Sequence, residues 1–348
     1  MEKKRLAVVA DAKNWAFHTL AKLIKKELED VADVDIFFTK EEPYKGNFFG
    51  LIEEIKGYDI IHFLWRKGLM DFESEEFISS VKEHGYDLDE YVSSVCKKIS
   101  TSVHDHMFLS EEEIIEYLPI FTKYSRKYYT ISKKLFDIYS NIPQYPKPAA
   151  EISDTFDKAL FYPKNLERFE NIPQDKPLTL GWVGNSGWNI DDGKGIDYKG
   201  LHSILEVVVK DLIDSGYNIV CDFADRKVRF IQPYEMADYY KNVDVYITCS
   251  YQEGTPMPVV EGMGCGLPII ATDVGIVPEV FGPLQSEFII GNREILSNEQ
   301  IREKLKEAII KIYNDRTILK RLSDENLVQA KKLDSSNYRD KYIQFFFS

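Results

Sequence analysis

Short apolar runs alternate along this chain with stretches whose apolar residues recur every three or four positions. Leu6–Ala10 is an unbroken apolar run, and Leu20, Leu23, Ile24 and Leu28 follow at the spacing of one helix face. Val34–Phe38 predicts a second strand, Leu51–Ile55 a helix and Asp59–Leu64 a further strand. A strand ending near Val103, a helix around Glu111–Arg126, a strand at Tyr128–Ser132 and a helix from Lys133 continue the series. Strands alternating with helices imply βαβ units and a parallel sheet.

The pattern is interrupted and then restarts. Asn141–Pro148 holds three prolines, and Pro163 and Pro173 follow, which marks a boundary between two folding units. Beyond it, Leu178–Val183 predicts a strand, Gly200–Ser215 a helix and Asn218–Phe223 a strand. Pro233–Tyr240 predicts a short helix, Val243–Thr248 a strand, Pro258–Gly264 the start of a helix and Pro268–Thr272 a strand. No internal repeat or low-complexity tract is present. Two Rossmann-like halves bind ligands beyond the carboxyl ends of their strands, and a cleft between halves is the natural site.

Length and charge narrow the function. A chain of 348 residues suits two domains, and 44% hydrophobic with 29% charged residues is ordinary for a water-soluble globular protein. A formal net charge of −13 argues against nucleic acid as a partner, since phosphate backbones need a basic surface. It leaves room for a small basic pocket around a diphosphate, and for a local basic face at a membrane. Cys96, Cys221, Cys249 and Cys265 form no C-x-x-C pair and read as reduced thiols of a cytosolic protein. Leu6–Ala10 is too short for a signal-peptide core, and no apolar stretch approaches the ~20 residues of a membrane span.

The segment richest in chemistry is Ser250–Gly282, SYQEGTPMPVVEGMGCGLPIIATDVGIVPEVFG. Gly254 permits a tight turn, and Pro256 and Pro258 suit a loop that enters the first turn of a helix. Backbone N–H groups at such a start face an anion, and the helix dipole assists. Glu253 lies in the loop and Glu261 on the helix, so the two carboxylates reach different parts of one ligand. A carboxylate accepts bonds from two vicinal hydroxyls, which suits a sugar or a ribose. An isolated pair of this kind reads as surface acids at a helix start. The flanking glycines and prolines between two strands favour the ligand.

The segment resembles the E-x7-E signature of retaining glycosyltransferases, in particular glycosyltransferase family 4, with Glu253 and Glu261 at the two Glu positions. Gly262–Pro268 resembles the family's E-A-M-A-x-G-x-P run, and Pro278-Glu279 a similar pair of the family. Leu180–Gly184, Lys199-Gly200 and the following amphipathic stretch resemble the family's strand, phosphate-binding loop and helix. The resemblance implies a GT-B fold of two Rossmann-like domains facing across a cleft. It divides the chain into an acceptor-side domain at 1–160, a donor domain at 161–334 and a C-terminal helix, 335–348, returning to the first domain. It implies contacts to the nucleotide donor by Glu261, Gly254, Thr255, Pro256, Met257, Gly184 and Asn185. Lys199 would neutralise charge on the leaving diphosphate. Glu253 would lie at the sugar or diphosphate end, and His104, in the T-x-H-D-like stretch Ser102–Asp105, near the transferred sugar.

Departures from the family pattern are visible. Asn185 follows Gly184 where the family usually has an Arg a few residues before its Lys. A second Lys-Gly pair, Lys194-Gly195, lies in the same loop, but the predicted helix begins directly after Lys199. The family's N-terminal glycine-rich loop is replaced by Asp11–Trp15, and His106 stands near His104. Asp33-Val34-Asp35 and Asp87-Leu88-Asp89 are D-x-D tripeptides, of the kind that binds metal in another glycosyltransferase class and that an acidic chain also contains by chance. Tyr117, Phe121, Tyr124 and Tyr128 with intervening Lys123, Arg126 and Lys127 offer a membrane-surface stripe or, given Pro119, a core-facing one.

The expected activity is transfer of a sugar from a nucleotide-diphosphate-sugar to a hydroxyl acceptor, a glycan or a lipid-linked saccharide, with retention and without a cofactor or metal. Expected with it are a cytoplasmic location and contact with the inner membrane face. A GT-B-type epimerase or phosphorylase, or an inactive nucleotide-sugar-binding protein, are the rival readings.

Overall fold

The computed structural model describes residues 3–107, 109–170, 172–173, 175–187 and 196–348. The chain forms two compact units, Met1–Thr155 with Ser335–Ser348, and Phe156–Asp334.

The first unit begins with β1 (Lys4–Ala10), α1 (Ala16–Leu28), β2 (Ala32–Phe38), α2 (Phe48–Ile55) and β3 (Ile60–Phe63). A 3₁₀ segment (Arg66–Glu73) leads to α3 (Glu75–Glu83), α4 (Leu88–Cys96) and β4 (Ile99–Val103). Next come α5 (Glu111–Glu116), α6 (Leu118–Thr122), β5 (Lys127–Thr130), α7 (Lys133–Ser140) and β6 (Ala150–Glu151). The strands form one parallel sheet in the order β2-β1-β3-β4-β5-β6. Its centre is apolar on both faces because helices cover both, so all five residues of Leu6–Ala10 are buried.

The helix expected over Glu111–Arg126 is two short helices. Pro119 has no N–H to donate and its ring crowds the preceding turn, so the chain restarts at Leu118. Phe121, Tyr124 and Tyr128 are buried, so that stripe faces the core. The D-x-D tripeptides have local roles: Asp35 accepts from Tyr58 Oη at 2.7 Å, and Asp87 caps α4 by accepting from Glu90 N at 3.0 Å. Among the described residues no group of three His, Cys, Asp or Glu side chains is placed to hold a metal ion.

The second unit contains β7 (Leu178–Gly184), a π-helical turn (Leu201–Leu205) running into α8 (Glu206–Asp214), and β8 (Ile219–Asp225). It continues with α9 (Met236–Tyr240), β9 (Val245–Thr248), α10 (Met257–Gly264) and β10 (Ile269–Ala271). The last elements are α11 (Val277–Val280), α12 (Pro283–Ser286), α13 (Asn298–Asn314) and α14 (Thr317–Ala330). The parallel sheet runs β10-β9-β7-β8. The chain steps from β7 to β8 on one side and then crosses to β9 on the other. The helices after β7 and β9 therefore part, leaving a crevice beyond the carboxyl ends of those two strands. Leu180, Val245, Ile247, Val259, Met263 and Ile270 fill the core beneath it.

After Asp334 the chain re-enters the first unit as α15 (Arg339–Phe347), where the rings of Phe345 and Phe346 meet His62 edge-on at 6.1 and 5.1 Å. No helix among the described residues is long and apolar enough to cross a membrane.

Candidate donor site

Two loops meet at the β7–β9 crevice and are stitched to each other. The loop before α8 is shaped by Asp197, whose Oδ1 accepts from Gly200 N at 2.9 Å and whose Oδ2 accepts from Ser203 N at 2.7 Å. Gly200 has φ +69°, and a Cβ there would overlap the carbonyl oxygen of Cys249, so glycine is required on both counts. Buried Arg293 donates from Nη1 to Cys249 O at 2.7 Å and to Asp197 O at 3.0 Å, tying this loop to the end of β9. Tyr251 N donates to Tyr198 O at 2.8 Å, and Tyr198 Oη donates to Gln252 Oε1 at 2.7 Å.

These bonds hold Lys199 and Glu253 together. Lys199 Nζ lies 2.5 Å from Glu253 Oε1, with side chains 23% and 15% exposed. The pair is shielded yet open on one side. Lys194-Gly195, the rival for the phosphate-binding position, lies outside the described residues.

The rest of Ser250–Gly282 shapes the anion end. Pro256 occupies the N-cap of α10 without a side-chain oxygen, and Pro258 sits in the first turn. The N-cap residue therefore offers the helix opening no side-chain acceptor, although Val259 N donates to Pro256 O at 2.8 Å. Gly254 O accepts from Ile276 N at 2.9 Å, and Gly275 (φ +51°) packs so closely that a Cβ would overlap that same oxygen. Thr255 Oγ1 is buried and has no hydrogen-bond partner among the described residues. Glu261 lies in the second turn of α10, partly buried, and accepts from Tyr240 Oη at 3.1 Å. Burial pushes its carboxyl up to about 7, against the opposing effect of the Tyr240 bond.

At the end of β7, Gly184 packs against the Trp182 ring and Asn185 Oδ1 accepts from Gly187 N at 3.1 Å. Asp225, at the end of β8, accepts from Ser186 N, Ser186 Oγ and Lys227 N at 3.1, 2.6 and 3.1 Å. The turn after β8 is thereby fixed to the loop after β7, and the Lys227 ammonium lies against Gly187, where a Cβ would strike it.

His104 belongs to the first unit and is fully engaged there. Ser102 Oγ is 2.8 Å from Nε2, and Asp154 Oδ2 is 3.1 Å from Nδ1. Both ring nitrogens thus have protein partners within the first unit. Its acid is Asp154. The adjacent Asp105 instead takes two bonds from Arg66, at 2.7 and 3.2 Å, and stays below the usual carboxylate range although burial opposes ionisation.

The structure thus gathers Lys199, Glu253, Gly254, Thr255, Pro256, Met257 and Glu261 on two adjoining loops and one helix, with Gly184 and Asn185 at the head of β7. Sequence reasoning missed Asp197, Tyr240, Gly275, Arg293 and Lys227. Only Lys227 carried a local signal, the basic run Arg226-Lys227-Val228-Arg229 directly after a strand.

Comparison with known proteins agrees with this architecture. Residues 223–329 match the family model described as glycosyl transferases group 1. Protein CapJ of Staphylococcus aureus is 22% identical over 204 residues, covering 52% of this chain and 46% of that protein. The alpha-galactosylglucosyldiacylglycerol synthase of Streptococcus pneumoniae is 22% identical over 185 residues, covering 53% of this chain and 42% of that protein. The chain thus spans less than half the length of these two relatives. Among solved structures, sucrose-phosphate synthase from Thermosynechococcus elongatus superposes with a TM-score of 0.65 at 14% identity, over 99% of this chain and 98% of that one. Anabaena HepE, in complex with UDP-glucose, gives 0.66 at 12% identity over 98% and 99%. The fold is GT-B.

Proposed function

We propose that this chain is a retaining glycosyltransferase that moves a sugar from a nucleotide-diphosphate-sugar to a hydroxyl acceptor. The observation that carries the reading is the Lys199–Glu253 pair, held between the β7 and β9 loops beside the start of α10, whose N-cap is a proline. A diphosphate placed there meets an ammonium and a helix N-terminus, which together stabilise charge as the sugar–phosphate bond breaks. Glu253 orients Lys199 and faces the sugar hydroxyls. Glu261, one turn deeper, takes the ribose. Gly275 lets the chain pack closely on Gly254, and Thr255 Oγ1, without a partner among the described residues, gains one.

In the retaining route the acceptor oxygen attacks the anomeric carbon on the face that the diphosphate leaves. The departing phosphate oxygen takes the acceptor's proton. The protein's part is positioning and electrostatics, with no covalent enzyme intermediate. Lys199 and the helix dipole do the neutralising work often given to a divalent ion, so we propose catalysis without a metal. The group 1 match and the names of the relatives support this class, and a lipid-linked or surface glycan is the acceptor they favour. The free cysteines fit a cytosolic location.

The test is a screen of nucleotide-sugars with glycan and glycolipid acceptors, reading free nucleotide diphosphate and the anomeric coupling of the product by NMR. Acceptor-dependent nucleotide release with retained configuration is expected, undiminished by EDTA. Release without any acceptor would instead indicate an epimerase-type reaction, and metal-reversible loss in EDTA would overturn the metal-free route.

A further inference from the structure

Glu261 has an unusual environment for a carboxylate assigned to a polar ligand. The side chains facing it are Tyr240 from α9, Tyr246 from β9 and Cys265 from the end of α10. All three are neutral, with titration pushed upward chiefly by burial. Glu253 acts on Tyr246 rather than on Glu261, and Lys164 and Arg168 approach Cys265. Among the described residues no Lys, Arg or His forms an ion pair with Glu261. Its one donor among the described residues is the fully buried Tyr240, 3.1 Å from Oε2. The alternative acceptor for that hydroxyl, Pro258 O, is at 3.5 Å, so the single proton goes to Glu261.

We propose that Tyr240 is a positioning residue of the donor site: it commits Oε2 of Glu261 to the protein, aims Oε1 at the ribose, and so couples donor binding to ionisation of a carboxylate that has no cation. This rests on the donor-site reading of the preceding subsection. Two vicinal hydroxyls donate to a carboxylate, whereas a protonated carboxyl must itself donate and loses acceptor strength. The ionised form is therefore the binding form. With a free-state titration at about 7, the ionised fraction rises about tenfold between pH 6 and pH 8, and donor affinity rises with it. Ribose hydroxyls donating to the carboxylate lower its titration point in the complex, so binding near neutrality releases a proton. The Tyr240 bond acts in the same direction, and removing it moves the midpoint upward.

Calorimetry on the full chain tests this, with uridine, guanosine and adenosine diphosphates as probes, the tightest being carried through pH 6, 7 and 8. The terminal phosphate titrates in this range too, so the reading is the difference between wild type and Glu261→Gln. Pyrophosphate, which lacks the ribose, serves as the second probe. The expected result is an affinity gain about tenfold larger in wild type than in Glu261→Gln from pH 6 to 8. Tyr240→Phe should shift the wild-type profile to higher pH and raise KM with little change in kcat, while pyrophosphate affinity stays constant. If Glu261→Gln weakens nucleotide binding but the two pH profiles run parallel, the proposal fails and the donor site stands. A Tyr240→Phe protein, folded by circular dichroism, with the wild-type profile also overturns it. If no nucleotide diphosphate binds, or Glu261→Gln binds as wild type does, the donor-site reading itself falls, and the proposal with it.

Discussion

Replacing Lys199 by Met separates the catalytic account of the Lys199–Glu253 pair from a merely structural one. The variant keeps the apolar stem and removes the charge. Losing one group that stabilises a developing anion costs ~2.7–4 kcal/mol, or 10²–10³ in kcat. The structural cost has its own bounds. Exposed pairs contribute ~0–1 kcal/mol, and breaking a fully buried one costs ~3–5 kcal/mol. With side chains 23% and 15% exposed, the pair falls between these limits, and about 1–3 kcal/mol is expected. In a domain of this size that lowers Tm by roughly 2–4 °C per kcal/mol. Steady-state kinetics and thermal melting of Lys199→Met, Glu253→Gln and the double variant give the full cycle. Expected are a fall in kcat of two to three orders of magnitude for Lys199→Met, a modest Tm loss, and strong non-additivity, because both groups act at one centre. Activity restored in the double variant would refute the reasoning, since it would mean that Lys199 only neutralises Glu253. So would a kcat within threefold of wild type in Lys199→Met.

Gly275→Ala should reduce donor affinity at least tenfold with the fold intact, because its Cβ would displace Gly254 and the loop above α10; calorimetry with a nucleotide diphosphate showing unchanged affinity would contradict this. Lys227→Ala should weaken pyrophosphate binding about tenfold, as its ammonium lies against Gly187 in the loop after β7, and an unchanged affinity would remove it from the site. His62, fully buried, titrates at about 3 chiefly through burial and secondarily through His104, so its contribution is present above pH 6.5 and lost as pH falls. About 2 kcal/mol of stability should be gone by pH 5, and urea denaturation showing none lost between pH 6.5 and 5 would count against it. Glu261 has the opposite sign: its raised titration favours the folded state below about 4.5, and that advantage disappears by about 7. Glu261→Gln should therefore raise stability at pH 8 by up to about 3 kcal/mol while impairing nucleotide binding, and an unchanged urea midpoint would contradict this.

How much of this was readable in the sequence depended on the range of each interaction. Strand and helix order is local, so the unbroken run Leu6–Ala10 and the spacing of Leu20, Leu23, Ile24 and Leu28 located β1 and α1 directly. The loop Ser250–Met257 was legible because its glycines and prolines have conformational meaning by themselves. Arg293 was not, since its role is to hold Asp197 and Cys249, 96 and 44 residues away. Tyr240 carried no signal beyond ending a predicted short helix, and the 3.1 Å approach to Glu261 is what distinguishes it. The partners of His104 were hidden for the same reason: its neighbour in sequence is Asp105, while the fold supplies Asp154, fifty residues on, and sends Asp105 to Arg66.

The donor end of the second unit is built with its polar groups incompletely satisfied, and that arrangement bears on function. Among the described residues Glu261 pairs with no cation and Thr255 Oγ1 has no partner, and the N-cap of α10 is a proline. In a core that served only stability each would be a defect, because a buried polar group left unpaired costs ~1–3 kcal/mol. Directly beneath them, side chains satisfy backbone groups around β10, although Asn326 Oδ1 itself has no partner among the described residues. Asn326 donates to Leu267 O and Gln285 Oε1 at 2.6 Å each, and Gln285 Nε2 donates to Ile269 O, so the backbone around β10 is closed off by side chains from α12 and α14. At the crevice, a ligand carrying ribose hydroxyls and phosphate oxygens would supply partners for Glu261 and Thr255. In the proposed donor site, part of the binding free energy would come from groups the free protein leaves unsatisfied, and selectivity for a ligand with both donors and anionic acceptors would follow from their placement on one short helix and the loop before it.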